Sequence, residues 1–224
     1  MSNSIVIAVD GTAASGKGTL AKLLAKHFAF AHLDSGSLYR LVALGVLEAK
    51  GDPAKECEAV DAAHALDLSR AGDPAIRSDI VGRTASQVSA YPGVRAALLQ
   101  FQRDFAARPL GESRGAVIDG RDIGTVICPD ANAKLFVDAR AEIRANRRWR
   151  ELQALGIARP EHHILEELIA RDHADRNRPI SPMKPAPDAA LLDTSHLDID
   201  AAFAAALALV NPKIEAVLRA LPRG

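Results

Sequence analysis

A glycine-rich turn set between an apolar run and a helical pattern limits this chain more than any other stretch. In 8-AVDGTAASGKGTLAKLL-24, residues Gly11 to Lys17 fit G-x-x-x-x-G-K directly after a candidate strand and before a candidate helix. That context makes the motif informative, because its glycines allow unusual backbone angles and its amides can converge on anionic oxygens. The following helix adds its N-terminal dipole, and Lys17 can neutralise terminal phosphates. Gly11, Ala13, Ala14, Ser15, Gly16, Lys17, Gly18 and Thr19 are therefore the candidate phosphate cradle. The plainer alternative is a glycine turn that only starts a helix.

Four further apolar runs follow 4-SIVIAV-9: 30-FAHL-33, 116-AVI-118, 134-KLFV-137 and residues 190–193. Apolar positions at helical spacing fill residues 19–28, 36–50, 93–107, 141–155, 161–177 and 199–220. Such alternation predicts an α/β fold around a mainly parallel sheet. Residues 34 to 115 separate the second and third runs, too many for one crossover, so a mostly helical insertion is expected there. The expected plan is one unit: a core of about 1–33, 108–140 and 188–224, an insertion of about 34–107, and a lid with its following loop at about 141–187.

Composition narrows the function classes. Lys+Arg and Asp+Glu are equal at 28 each, so no global field recruits nucleic acid or an anionic membrane surface. Two cysteines without ligand spacing suit a reducing cytoplasm. No apolar run is expected to span a membrane, and none resembles a leader segment.

Three more stretches name an acceptor. They are 32-HLDSGSLYR-40, 117-VIDGRDIGT-125 and 171-RDHADRNRPIS-181. With the GKGT of the first loop they closely resemble the bacterial cytidylate kinases, whose motifs run LDSG/LDTG-x-x-YR, DGRD-x-GT and RD-x-x-D-x-x-R. The resemblance covers nearly the whole chain, including 84-TASQVSAYPGVRAALLQFQR-103 and 188-DAALLDTS-195. It implies a three-layer P-loop NTPase fold with a five-stranded parallel sheet, a nucleoside-monophosphate-binding insertion and a short lid. It also implies a cytoplasmic enzyme of pyrimidine metabolism that phosphorylates CMP and dCMP with ATP and Mg2+, a monomer with no polymer or membrane partner.

The resemblance further implies roles for individual residues. Lys17, Arg121, Arg171 and Arg178 would be catalytic. CMP would be held by Ser35, Arg40, Ser86, Arg95, Arg121, Asp122, Arg171, Asp175 and Arg178. Asp119, in a Walker-B-like position, would orient the metal through its waters. The chemistry agrees: cytosine donates from its N4 amine and accepts at N3 and O2, an edge that a carboxylate beside an arginine or hydroxyl complements. Arg171, Asp175 and Arg178 fall at i, i+4 and i+7, so one helical face would carry cation, anion, cation, with Pro179 ending the helix at Arg178.

Read without the resemblance, several of these residues have structural alternatives. Ser35 could cap a helix, Arg40 could be a surface arginine, and Ser86 with Arg95 could form an exposed helical face. The 119–122 charges could be an ion-pair cluster, and the 171–178 charges a solvated ladder. Arg140, Arg144, Arg147, Arg148 and Arg150 could reach the donor from the lid or simply be solvated. Relative to longer family members, the segment 68-LSRAGDPA-75 is short, so a small sheet in the insertion is expected to be reduced or absent. Insertion and lid are expected to close over bound substrates, since water competes as nucleophile. Other readings are a P-loop kinase of UMP, AMP or dephospho-coenzyme A, and a nucleotide-binding switch.

Overall fold

The computed structural model describes residues 4–109, 111 and 113–220; residues 1–3, Leu110, Glu112 and 221–224 of the expected core lie outside the described residues. Five strands form one parallel sheet: β1 (Ile5–Gly11), β2 (Ala31–Asp34), β3 (Gly115–Gly120), β4 (Ala133–Asp138) and β5 (Ala190–Asp193), in the order β2-β3-β1-β4-β5. Each lies on an apolar run read from the sequence. Strand β1 is central, pairing Asp10 with Gly120 on one side and Gly11 with Val137 on the other. Both edges of the loop after β1 are thereby set by neighbouring strand ends, where open α/β sheets bind ligands.

The chain separates into two compact units. The first, residues 1–33 and 106–224, holds the sheet. Helix α1 (Lys17–Phe28) and helix α8 (Ile199–Ala220) pack onto it, with Leu20, Ala21, Leu24 and Ala25 of α1 in one core with Ile7, Val9, Leu135 and Val137. Helix α8 joins the same core through Ala202, Ala206, Val210 and Ile214, one stripe at steps of four. By length and composition α8 is nonetheless apolar enough to cross a membrane, which corrects the expectation that no run would be. Alanine and leucine on its outer face carry the hydropathy while that single stripe meets the sheet.

The second unit, residues 34–105, is helical, with no strand beyond Asp34, the last residue of β2. Helix α2 (Ser35–Glu48) is its centre and buries residues on most of its circumference, packing against α3 (Glu56–His64) and α4 (Asp79–Val88). Helix α5 (Pro92–Ala107) follows. The short segment after α3 forms two 3₁₀ turns, Leu68–Gly72 and Pro74–Arg77, each capped by an aspartate, Asp67 and Asp73. Helices α3 and α4 lie outside the segments whose periodicity predicts helix. The first spans nine residues with only Ala59 and Ala63 buried; the second buries Val81, Thr84, Ala85 and Val88 on one face, but over only ten residues with Gly82 among them.

Within the first unit, α6 (Ala141–Ala154) and α7 (Glu161–Arg176) pair through Ala145, Leu152, Ile164 and Leu168, with Trp149 against them. The expected helix end at Arg178 is corrected: α7 stops at Arg176, and Arg178 lies beyond its cap residue Asn177. A residue before proline avoids helical geometry, so termination begins ahead of it.

Candidate active site

The turn after β1 is strained where the sequence required it. Gly11 has φ 151°, and a Cβ there would lie 1.9 Å from the carbonyl oxygen of Val137. Only glycine fits so close to β4. Gly16, at φ 87°, is the left-handed residue from which α1 starts, and Ala14 shares that conformation at φ 59°. The first-turn N–H groups of α1 have no partners within the helix and so face the loop's concave side with the dipole's positive end. Lys17 reaches back, Nζ donating to the Thr12 carbonyl at 3.3 Å.

The outer side of the loop is tied down by three other elements. Thr12 Oγ1 donates to Asp138 Oδ1 at the end of β4, 2.6 Å away. Arg144 Nη1 donates to the Ala13 carbonyl at 3.0 Å, and Thr194 Oγ1 donates to the Ser15 carbonyl at 2.9 Å. With its carbonyls held outward, the loop presents its amides to the opposite side. Arg144 is 4% exposed and pairs at 2.6 Å with Asp172 of α7, so it is a buried strut and not part of a solvated face. Arg140 and Arg150 are exposed.

Arg147 and Arg148 have a different place. They line a cavity of about 580 Å³ with Ala14, Gly16, Thr194 and Asp198. Arg147 Nη1 also donates to Thr194 Oγ1 at 3.1 Å. The sequence offered Arg147 and Arg148 only as two among five arginines; Thr194 lies within 188-DAALLDTS-195 but drew no role.

At the end of β3, Asp119 is buried and Oδ1 lies 2.8 Å from His32 Nε2. Its other oxygen would sit 3.5 Å from a Cβ on Gly18, so the carboxylate borders the first turn of α1. Asp119 is a hard oxygen donor bordering the phosphate loop, which fits a magnesium ion that keeps several waters and phosphate oxygens as ligands. His32 is a partner the sequence did not signal.

Arg121 Nε donates to Asp175 Oδ2 at 3.0 Å, and Arg178 Nη1 lies 3.9 Å from Asp175 Oδ1. Burial alone would raise the Asp175 carboxyl, but Arg121, Arg171 and Arg178 together hold it below the usual carboxylate range. The DGRD and RDxxDxxR stretches thus meet, with three guanidiniums around one carboxylate. This is not a solvated ladder.

The helical unit holds Ser35, Arg40, Ser86 and Arg95. Ser35 is buried and is not the cap of α2; Asp34 is, accepting from the Ser37 amide. Arg40 donates to the Ile76 carbonyl at 2.7 Å. Arg95 is buried, with its guanidinium carbon 5.6 Å from the Tyr39 ring centroid and Nη1 donating to the Ser89 carbonyl. It is not an exposed helical residue. Ser86 is half-buried on α4. His162 and His163 are exposed, and among the described residues no three potential ligands gather as a metal site.

Glycine loop, lysine, helix terminus and a carboxylate on the adjacent strand define a P-loop phosphotransferase fold. Solved structures agree on the fold: a sugar kinase from Janibacter sp. HTCC2649 superposes with TM-score 0.50 at 14% identity over 96% of this chain and 98% of that one. An uncharacterized protein from Eubacterium ventriosum ATCC 27560 gives 0.51 at 15% over 93% and 99%. The family model for cytidylate kinase matches residues 7–212, and the chain belongs to that family. It is 54% identical to a cytidylate kinase of Rhodopseudomonas palustris TIE-1, over 92% of this chain and 96% of that protein. It is 51% identical to one of Bradyrhizobium diazoefficiens USDA 110, over 98% and 100%.

Proposed function

We propose that the chain phosphorylates CMP and dCMP with ATP, giving CDP and dCDP, as a cytoplasmic monomer of pyrimidine metabolism. Membership of the cytidylate kinase family supports the reaction. The observation that carries the site is the convergence of Arg121 and Arg178 on Asp175 in the same unit as the phosphate loop. In-line transfer asks a protein mainly to position two anions and spread the charge between them.

Gly11 and the loop Ala13–Thr19 would hold the triphosphate, with Lys17 turning from the Thr12 carbonyl onto its terminal oxygens. Arg121, Arg171 and Arg178 would engage the donor and acceptor phosphates, oriented by Asp175. Magnesium, when bound with ATP, supplies charge neutralisation at the phosphates, and Asp119 would hold it through water. The cavity bordered by Arg147, Arg148 and Thr194 suits the donor's nucleoside. Ser35, Arg40, Ser86, Arg95 and Asp122 are assigned to CMP by family resemblance, with the insertion as the monophosphate-binding part and residues 141–187 as the lid. The acceptor is already an anionic phosphate oxygen, so no general base is required.

A panel of CMP, dCMP, UMP, AMP and dephospho-coenzyme A with ATP, reading ADP formed, tests this. CMP and dCMP should lead; a preference for UMP or AMP would sink the reading.

A further inference from the structure

Asp10 is the last residue of β1 before the phosphate-loop glycine, and the proposed mechanism leaves it without a task. Its carboxylate is 4% exposed and points toward the turn that follows β3. There Oδ1 accepts the amide of Ile123 at 2.8 Å and Oδ2 the amide of Gly124 at 2.7 Å. These amides open a short π-helical turn, Ile123–Ile127, whose cap residue is Asp122. An opening turn leaves such amides without partners inside the helix, and an aspartate at the cap position ordinarily serves one of them. Asp122 does not: its side chain makes no capping bond. Asp10 serves both from a neighbouring strand.

Gly124 belongs to the same arrangement. A Cβ on it would lie 3.4 Å from Asp10 Oδ2 and 3.1 Å from Lys134 Cδ, so the turn sits against Asp10 with little room. A buried acceptor holding two amides at these distances fixes both the height and the rotation of the turn on the sheet. Arg121 and Asp122 immediately precede the two bonded amides, so their backbone is fixed with it.

The geometry points to Asp10 as a positioning residue for acceptor recognition: it caps the 123–127 turn in place of Asp122 and so sets Arg121 and Asp122 for the monophosphate. The proposal rests on the reading of Asp122 as the residue that meets the cytosine edge. It links two functions one residue apart, since Gly11 begins the donor cradle while Asp10 braces the acceptor side. Removal of the brace should therefore harm the acceptor far more than the donor.

Asp10→Ala and Asp10→Asn test it, with ATP affinity measured by equilibrium titration without acceptor and kcat and KM measured for CMP and UMP. In Asp10→Ala the KM for CMP should rise about tenfold or more, and the CMP to UMP ratio of kcat/KM should fall by roughly tenfold. ATP affinity should stay within about threefold. Asp10→Asn keeps one acceptor and should fall between; it carries the test if the alanine variant does not fold. An unchanged CMP KM and ratio, or equal loss of ATP and CMP binding, overturns the proposal. Absence of CMP phosphorylation by the unaltered protein would instead overturn the activity on which it rests.

Discussion

Arg144 of α6 donates to the carbonyl of Ala13, 131 positions earlier in the chain, while its other nitrogens hold Asp172 and the Ala139 carbonyl. One buried guanidinium thus joins the phosphate loop, the residue after β4 and α7. Replacing it with methionine leaves Asp172 buried without its cation and should cost about 3–5 kcal/mol in urea unfolding. ATP affinity should fall as well, because the loop loses one of its three ties. The same substitution with unchanged unfolding midpoint would contradict the strut.

Gly11→Ala should be among the most damaging single-methyl changes in the protein. The added carbon meets a backbone oxygen of the central sheet, which cannot give way as a flexible side chain would. A loss of several kcal/mol in unfolding free energy, about 3 or more, is expected, together with loss of ATP binding in whatever fraction stays folded. Gly16→Ala has open space around it but a left-handed backbone, so it should cost about 1 kcal/mol.

Lys17→Ala and Asp122→Ala should separate donor from acceptor chemistry. The lysine variant should lose about a hundredfold or more in kcat with every acceptor, at little cost in stability. The aspartate variant should keep ATP affinity and lose its preference for CMP over UMP. Equal losses for all acceptors in the second variant would make Asp122 structural.

Stability should depend on pH through Asp10. Burial is the main cause that raises its carboxyl from 3.8 to about 6, against the two amide bonds that lower it. Between these values the folded protein keeps a proton that the unfolded chain releases, so this contribution is full below pH 4 and is lost as pH rises through 6. The loss amounts to about 3 kcal/mol. Asp175, held low by its arginines, acts in the opposite sense: its stabilisation is present at neutral pH and disappears on acidification through its folded pKa. Urea unfolding of the parent and Asp10→Asn from pH 4 to 7 should show the fall in the parent alone, since the Asp175 contribution is common to both and changes only below that window.

Strand positions were legible in the sequence because each is a short apolar run bounded by turns, and Gly11–Lys17 was legible because its chemistry is local. Partner choice was not. His32 meets Asp119, Thr194 meets Ser15, and Asp10 meets Gly124 across 87, 179 and 114 positions, and nothing in the local pattern tells which distant residue each one meets. Charge ladders are ambiguous for the same reason. Arg144 and Arg147 sit three apart on one helix, yet the first is a buried strut and the second lines a cavity, because only α7 and the segment after β5 decide what each one meets. Helix α4 is short, so its stripe of Val81, Ala85 and Val88 covers only two turns beside Gly82, which packs against Arg40.

The bond from Thr194 to the Ser15 carbonyl orders events during synthesis. The glycine loop leaves a ribosome well before the segment around Thr194, yet one of its three backing contacts comes from that segment, 179 positions later. Until that segment arrives, β5 cannot complete the sheet and the loop lacks its third tie. Nascent chains stalled before residue 194 therefore carry the whole phosphate motif without the backing that aims its amides, and tight ATP capture waits for Thr194.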